Sequence, residues 1–418
     1  MDGSTGMSLE SVFREEHGRL LATLVRRYGD LDLAEDVTSD AIEAALTHWP
    51  TDGVPTKPGA WLLTTARRRA VDRLRRDTSY AARLAILQVD QDRAGPAPDA
   101  DVTGSGIPDD RLQLFFTCAH PALGADDRVA LTLRCLAHLT TPEVARAFLI
   151  SPSTAGQRIS RAKKKIRDAR IPFRVPDAAE LPERLPGVLQ VVYSVFTEGY
   201  AASSGEILMR VDLADEAIRL GRILRTLLPR ERETAGLLAL MLLVHARRNA
   251  RTGRDGEIMM LDEQDRSLWD REMIAEGTSL VVDALTGGHP GSYGVQAAIA
   301  ALHDEASDAS TVDWPQIVAL YGVLSSIAPS PIVSLNRAAA VAMRDGPAEG
   351  LALLESLADE PLLQNYHPFP AARGDLLLRL DRRPEAAQQF RRALELARTE
   401  PERKHLRRKI LHTETFDA

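Results

Sequence analysis

Trp61, Thr64, Thr65, Arg67, Arg68, Arg75 and Arg76 have the types and spacing to hold a nucleic-acid strand. Read as a helix, WLLTTARRRAVDRLRRD (Trp61–Asp77) puts Leu62, Ala66, Ala70 and Leu74 on one stripe, with Leu63 beside it. The threonines and arginines take the opposite face. The guanidinium groups would hold phosphates, and the tryptophan at the helix start offers a flat surface to an unstacked base. Arg69 and Arg73 flank the apolar seam, so their stems pack while their heads reach solvent. The same pattern also fits a surface helix whose arginines meet only water.

A second set lies in LTTPEVARAFLISPSTAGQRISRAKKKIRDA (Leu139–Ala169). Thr140 or Thr141 can cap a short helix over Glu143–Phe148, with Pro142 in its first turn. Leu149–Ser151 is a tight turn, and a second helix starts at Pro152. Helix, short turn, helix is a helix-turn-helix pattern, whose second helix enters the major groove N-terminal end first. Its leading residues Ser153, Thr154, Gln157 and Arg158 suit base edges or phosphates. Arg161, Lys163, Lys164, Lys165 and Arg167 follow as a phosphate-binding run.

The elements that must position these residues read as helices throughout. The 418-residue chain has few aromatics, much alanine, leucine and arginine, and no strand-like alternation, so its fold class is all-α with more than one domain. A net charge of −7 excludes a non-specific polyanion binder; any nucleic-acid surface is local. Two cysteines exclude a disulfide framework. With no signal pattern and no apolar run of roughly 18 residues, the chain reads as cytoplasmic, without a membrane span.

Leu9–Tyr28 and Leu31–Trp49 read as helices, the second ending at His48-Trp49-Pro50. Its residues Leu33, Val37, Ala41, Ala44 and Ala45 pack, while Glu35, Asp36, Asp40 and Glu43 form an acidic outer face. That face is either a solvated surface or a dock for a basic partner. Residues 8–85 thus make one helical unit. Residues 86–108, rich in Asp, Gly, Pro and Ser, make an acidic flexible linker. A second unit, 109–171, contains a helix led by Leu112, Leu114, Phe115 and Phe116, another over Asp126–His138, and the helix-turn-helix. A proline-rich connector follows at 172–186, with Pro172, Pro176, Pro182 and Pro186.

Residues 187–418 show recurrent helical periodicity. Gly374, Ala386, Phe390 and Ala393 fit the small-and-large pattern of a tetratricopeptide repeat, and Ala338, Gly350, Leu354 and Leu357 hold equivalent places about one period earlier. Stacked helical hairpins of this kind form a concave, protein-binding solenoid.

LAEDVTSDAIEAAL (Leu33–Leu46) with Trp61–Arg76 resembles the second conserved region of extracytoplasmic-function sigma factors, and the unit ending in Glu143–Arg167 resembles their fourth. The segments VFTEGYAAS (Val195–Ser203), LLALMLLVHARRNAR (Leu237–Arg251), GSYGVQAAIAALHDEA (Gly291–Ala306), DWPQIVALY (Asp313–Tyr321) and SLNRAAAV (Ser334–Val341) are similar to the group with a fused tetratricopeptide-like domain, group 42. Thr197 departs from that pattern, which has asparagine there. The resemblance implies two small sigma domains plus a helical-repeat domain, no enzyme activity and no cofactor. It places Glu35, Asp36, Asp40 and Glu43 at the β′ clamp helices of core RNA polymerase, with the β flap as a further contact. It assigns Trp61, Thr64, Thr65, Arg67, Arg68, Arg75 and Arg76 to the −10 element, and Ser153, Thr154, Gln157, Arg158, Arg161, Lys163, Lys164 and Lys165 to −35. The linker would thread toward the RNA exit path. A DGPF-type small protein is a further implied partner, and the C-terminal half would control or support activity. A polymerase-independent helix-turn-helix regulator with a helical-repeat sensor is the alternative.

Other residue sets read as structural. Cys118, His120, Cys135 and His138 have zinc-like spacing but lie in apolar helices and read as core. Gly287, Gly288, Gly291 and Gly294 read as a hairpin connection, not a phosphate loop. His245 and His303 lack partners at catalytic spacing. The Arg247–Arg254 cluster reads as a solvated helix end.

Overall fold

The structure is a computed structural model. It describes residues 9–76, 109–148, 150–201, 208–253 and 257–414. The linker 86–108, the expected helix extension before it, Leu149 of the turn and Arg254 lie outside these residues. The architecture is all-α, and among the described residues only one isolated antiparallel bridge, Thr252 to Ile258, departs from it. The chain divides into two compact units, Met1–Val191 and Val192–Ala418.

In the first unit, α1 (Leu9–Tyr28), α2 (Leu31–Asp52) and α3 (Pro58–Arg76) pack on one another. Leu20, Leu21 and Leu24 of α1 meet the small residues Ala34, Val37, Ala41 and Ala45 of α2 and the stripe Leu62, Ala66, Ala70 and Leu74 of α3 in a shared core. Gly29, at φ 66°, turns the chain between α1 and α2, and the Asp30 carboxylate accepts from the backbone N–H groups of Asp32 and Leu33. Contrary to the reading from sequence, α2 does not stop at Pro50. It runs to Asp52 because Pro50 sits in the last turn, where the ring costs one N–H whose acceptor belongs to exposed Leu46. Gly53, at φ 82°, then closes the helix with its N–H on the Trp49 carbonyl.

The second half of this unit holds α4 (Arg111–Cys118), α5 (Ala125–Cys135), α6 (Thr141–Phe148) and α7 (Pro152–Asp168). α5 ends at Cys135, short of the expected His138, because His138 adopts φ 61° and leaves the helical path. Thr140 and Glu143 form a reciprocal cap: the Glu143 carboxylate accepts from the Thr140 N–H at 2.7 Å, and the Thr140 hydroxyl accepts from the Glu143 N–H at 3.4 Å. Cys118 and Cys135 are buried, and the His138 ring lies 3.9 Å from that of His17. The expected proline connector is shorter than 172–186. Pro182 and Pro186 belong to α8 (Leu181–Tyr200), Pro182 in the first turn, where no N–H is needed. The division between the units falls within α8.

The second unit contains α9 (Val211–Leu227), α10 (Arg232–Ala246), α11 (Arg271–Leu285), α12 (Ser292–Glu305), α13 (Trp314–Ile327), α14 (Pro331–Arg344), α15 (Pro347–Glu355), α16 (Pro368–Arg379), α17 (Arg383–Leu396) and α18 (Glu400–Glu414). α10 is apolar on every face and packs against α9, α11 and α12. Gly236 permits the closest crossing: a Cβ there would lie 2.5 Å from the Gly294 backbone nitrogen of α12. From α12 to α18 each helix packs on the next. Ala338, Leu354, Ala386, Phe390 and Ala393 share one core, and Gly374 leaves room for the Phe390 ring.

The Arg247–Arg254 cluster is not a solvated helix end. Arg247 is buried, its Nε donates to Asp304 Oδ1 at 2.7 Å and its Nη2 to the Ala300 carbonyl at 2.7 Å, and its guanidinium lies 5.2 Å from the Trp269 ring centre. Arg251 stacks 3.5 Å from the Tyr200 ring centre, and Arg248 pairs with Asp270. His245 also has a partner, with Nε2 2.9 Å from Asp215 Oδ1.

His303 carries a pH dependence. Burial, with Arg247 and Arg266 nearby, pushes its pKa down to about 4. The unfolded chain takes up that proton near pH 6.5, so its contribution to stability is complete above about pH 6.5 and falls as the pH drops toward about 4. Thermal denaturation of the full chain should show a loss of about 2 kcal/mol from this group between about pH 7.5 and pH 5. His303→Gln should remove that share of the pH slope; an unchanged slope would contradict it.

Candidate nucleic-acid interface

α3 presents its cations as a face because its apolar residues are spent on the core. Arg67, Arg68, Arg69, Arg75 and Thr64 are exposed, and Thr65 is half-buried. The Thr64 hydroxyl donates to the Ala60 carbonyl at 2.8 Å. Arg76 ends the helix. Trp61 is half-buried: its ring meets that of Trp49 edge-on at 5.4 Å, and Trp49 in turn stacks on Phe13 at 5.4 Å. Trp61 therefore shares its surface between the core and solvent. Arg67 is held below the usual arginine range by burial first and by the Arg27 cation second. Two like charges held together are relieved by an anion between them. Arg27, one residue before Tyr28 at the end of α1, was missed in the sequence, where only the paired Arg26-Arg27 beside a glycine turn hints at it.

Arg73 does not reach open solvent as expected. It donates to Asp40 Oδ2 at 2.9 Å and to Asp36, tying α3 to the acidic face of α2. Glu43 on that face is exposed. Glu35, expected on the outer face, is buried. Its carboxylate accepts from Lys163 Nζ at 2.6 Å and from the Cys135 thiol at 3.6 Å, and it lies 3.5 Å from Arg134 Nε.

The helix-turn-helix is built by Val144, Ala145 and Ala147 of α6 and Ala155, Ile159 and Ala162 of α7, all buried, with α7 also packed on α5. The Ser151 hydroxyl caps α7, accepting from the Thr154 N–H at 3.1 Å and meeting the hydroxyls of Ser153 and Thr154 at 2.8 Å. Ser153, Gln157, Arg161, Lys164 and Lys165 are exposed on its outer side. Arg158 is held between Asp126 Oδ2, at 3.0 Å, and the Phe148 ring, 5.2 Å away. Lys164 pairs with Asp168 on its own helix. Lys163 and Arg167 turn the other way, toward α2, where both reach Asp32 at 2.9 Å.

Two short helical units, one with an arginine face and one with a capped helix-turn-helix, match the two DNA-contacting regions of a known family. Residues 12–80 match sigma-70 region 2, and residues 116–166 match sigma-70 region 4. Residues 184–285 match a family of unknown function, DUF6596. An uncharacterized protein of Rhizobium meliloti is 41% identical over 94% of this chain and 92% of its own length. The probable ECF RNA polymerase sigma factor SigI of Mycobacterium tuberculosis is 23% identical over 50% of this chain and 68% of its own. The chain belongs to the extracytoplasmic-function sigma factors, with a C-terminal extension. No solved structure matches this sigma factor. Its sigma regions imply a role in transcription initiation, with core RNA polymerase and promoter DNA as partners. Among the described residues, no helix is long and apolar enough to cross a membrane.

Proposed function

We propose that this sigma factor binds core RNA polymerase and directs promoter-specific initiation without an active site of its own, its C-terminal half controlling or supporting that activity. Region 2 docks on the β′ clamp helices through Glu35, Asp36, Asp40 and Glu43. Trp61, Thr64, Thr65, Arg67, Arg68, Arg75 and Arg76 capture the −10 strand as it separates. Ser153, Thr154, Gln157, Arg158, Arg161 and Lys163–Lys165 read −35, with region 4 against the β flap. The C-terminal half is read as a tetratricopeptide-like domain of the group 42 type, for which a DGPF-type small protein is a partner. The observation that carries this reading is a single chain holding both an exposed arginine face on α3 and an exposed polar-then-basic face on α7. A duplex-binding regulator needs the second and has no use for the first.

The test is run-off transcription on the promoter of its own gene. Core polymerase with the full chain should give a transcript that core polymerase alone does not. Duplex binding without a transcript would turn the assignment to the polymerase-independent regulator.

A further inference from the structure

The acidic face of α2 is already occupied. Asp32 and Glu35 hold Lys163 and Arg167 of α7, and Arg134 and Cys135 of α5 also lie against Glu35. Only 13% of the Lys163 side chain and 11% of that of Glu35 remain exposed. A second set of contacts lies at the start of α4. Asp110 is buried and accepts from Arg26 at 3.0 Å and from the Thr23 hydroxyl at 3.3 Å, and Asp109 lies 3.6 Å from Arg19. The two regions meet through charged side chains around a cavity of about 270 Å³ lined by Asp32, Glu35, Arg134, Thr141, Lys163 and Arg167 among others. A seam built this way can separate without exposing a large apolar surface, unlike the interior of either region.

We propose that this seam is a self-masking latch. In the free protein, α7 occupies the face of α2 that core polymerase needs, and α2 holds two cations that promoter phosphates need. The two surfaces silence each other, and polymerase and DNA compete for the groups that close the latch. The functional consequence rests on the roles proposed above for α2 and α7; the latch itself does not. Asp32 and Lys163 titrate as a bound pair. Despite burial, which opposes both changes, Lys163 and Arg167 pull the Asp32 carboxyl below its usual range, and Glu35 and Asp32 push the Lys163 amine above its own.

The test uses the full chain with spin labels at Thr47→Cys on α2 and Ala169→Cys just beyond α7, both exposed, the two native cysteines being buried. Distances by double electron–electron resonance should form one narrow population. Lys163→Glu should add a longer one, and Lys163→Glu with Glu35→Lys should restore the narrow one. In parallel, Asp32→Asn/Glu35→Gln should bind its promoter duplex about 10-fold more tightly than the unaltered chain, as the closed fraction is lost. Asp36→Asn/Glu43→Gln removes two charges from the same helix without touching α7, and should not reproduce that gain. A broad distribution in the unaltered chain, or identical distances in all variants, overturns the latch. Distances that shift as expected with no gain in duplex affinity uphold the latch and instead overturn the DNA-reading role of α7.

Discussion

Open-complex formation by the Arg67→Ala/Arg68→Ala variant falls about 100-fold, while its binding to core RNA polymerase is unchanged. Charged hydrogen bonds to phosphate are worth roughly 1.5–3 kcal/mol each, and two of them, discounted for solvent exposure, give a loss of that order. The fall is not a folding defect, because both side chains are exposed and the buried stripe from Leu62 to Leu74 is untouched. Permanganate reactivity of unpaired thymines on the promoter measures the melted fraction directly. The salt dependence of binding should weaken as well, by roughly 0.7 in slope for each cation lost from a single-stranded contact. A variant that loses polymerase binding instead would place the polymerase on the α3 face.

The second large effect is at Gly236. Valine there drives a Cβ to within 2.5 Å of the Gly294 backbone nitrogen, and backbone cannot rotate away as a side chain can. α10 and α12 must separate, so Gly236→Val should cost about 3 kcal/mol or more. At about 2–4 °C per kcal/mol in a domain of this size, the melting midpoint of the second unit drops by roughly 6–12 °C. Differential scanning calorimetry of the full chain reads this, and an unshifted transition would mean that the crossing relaxes. The variant also reports on the C-terminal half in transcription. Above the new midpoint, output falls if that half supports initiation and rises if it restrains it.

What was legible in the sequence followed from local chemistry. The four-residue spacing of Leu62, Ala66, Ala70 and Leu74 defines the buried side of α3, and thereby its arginine face. Ser151 and Pro152 mark the start of α7 because a cap and an N–H-free first turn are local requirements. The end of α5 was not legible, since the positive φ of His138 depends on what the ring packs against, including His17. Pairings over long separations were equally hidden. Arg247 looked solvated because Asp304 lies 57 residues away, and Glu35 looked exposed because Lys163 lies 128 residues away. The residues of the DNA-facing surfaces could be named from type and spacing. Which of them are held in ion pairs in the free protein depended on the fold.

The burial of α10 on all sides bears on how the second unit comes apart. In a stack where each hairpin touches only its neighbours, strands of helix can peel away one repeat at a time from an end. α15 to α18 have that nearest-neighbour character, so the C-terminal end can fray while the remainder stands. α10 does not, because α9, α11 and α12 all rest on it. Withdrawing it strips three helices of their common support at once, so this half of the unit melts as a block, in a single cooperative step. One protein segment thus joins a zipper that opens from its tip to a keystone that releases everything together.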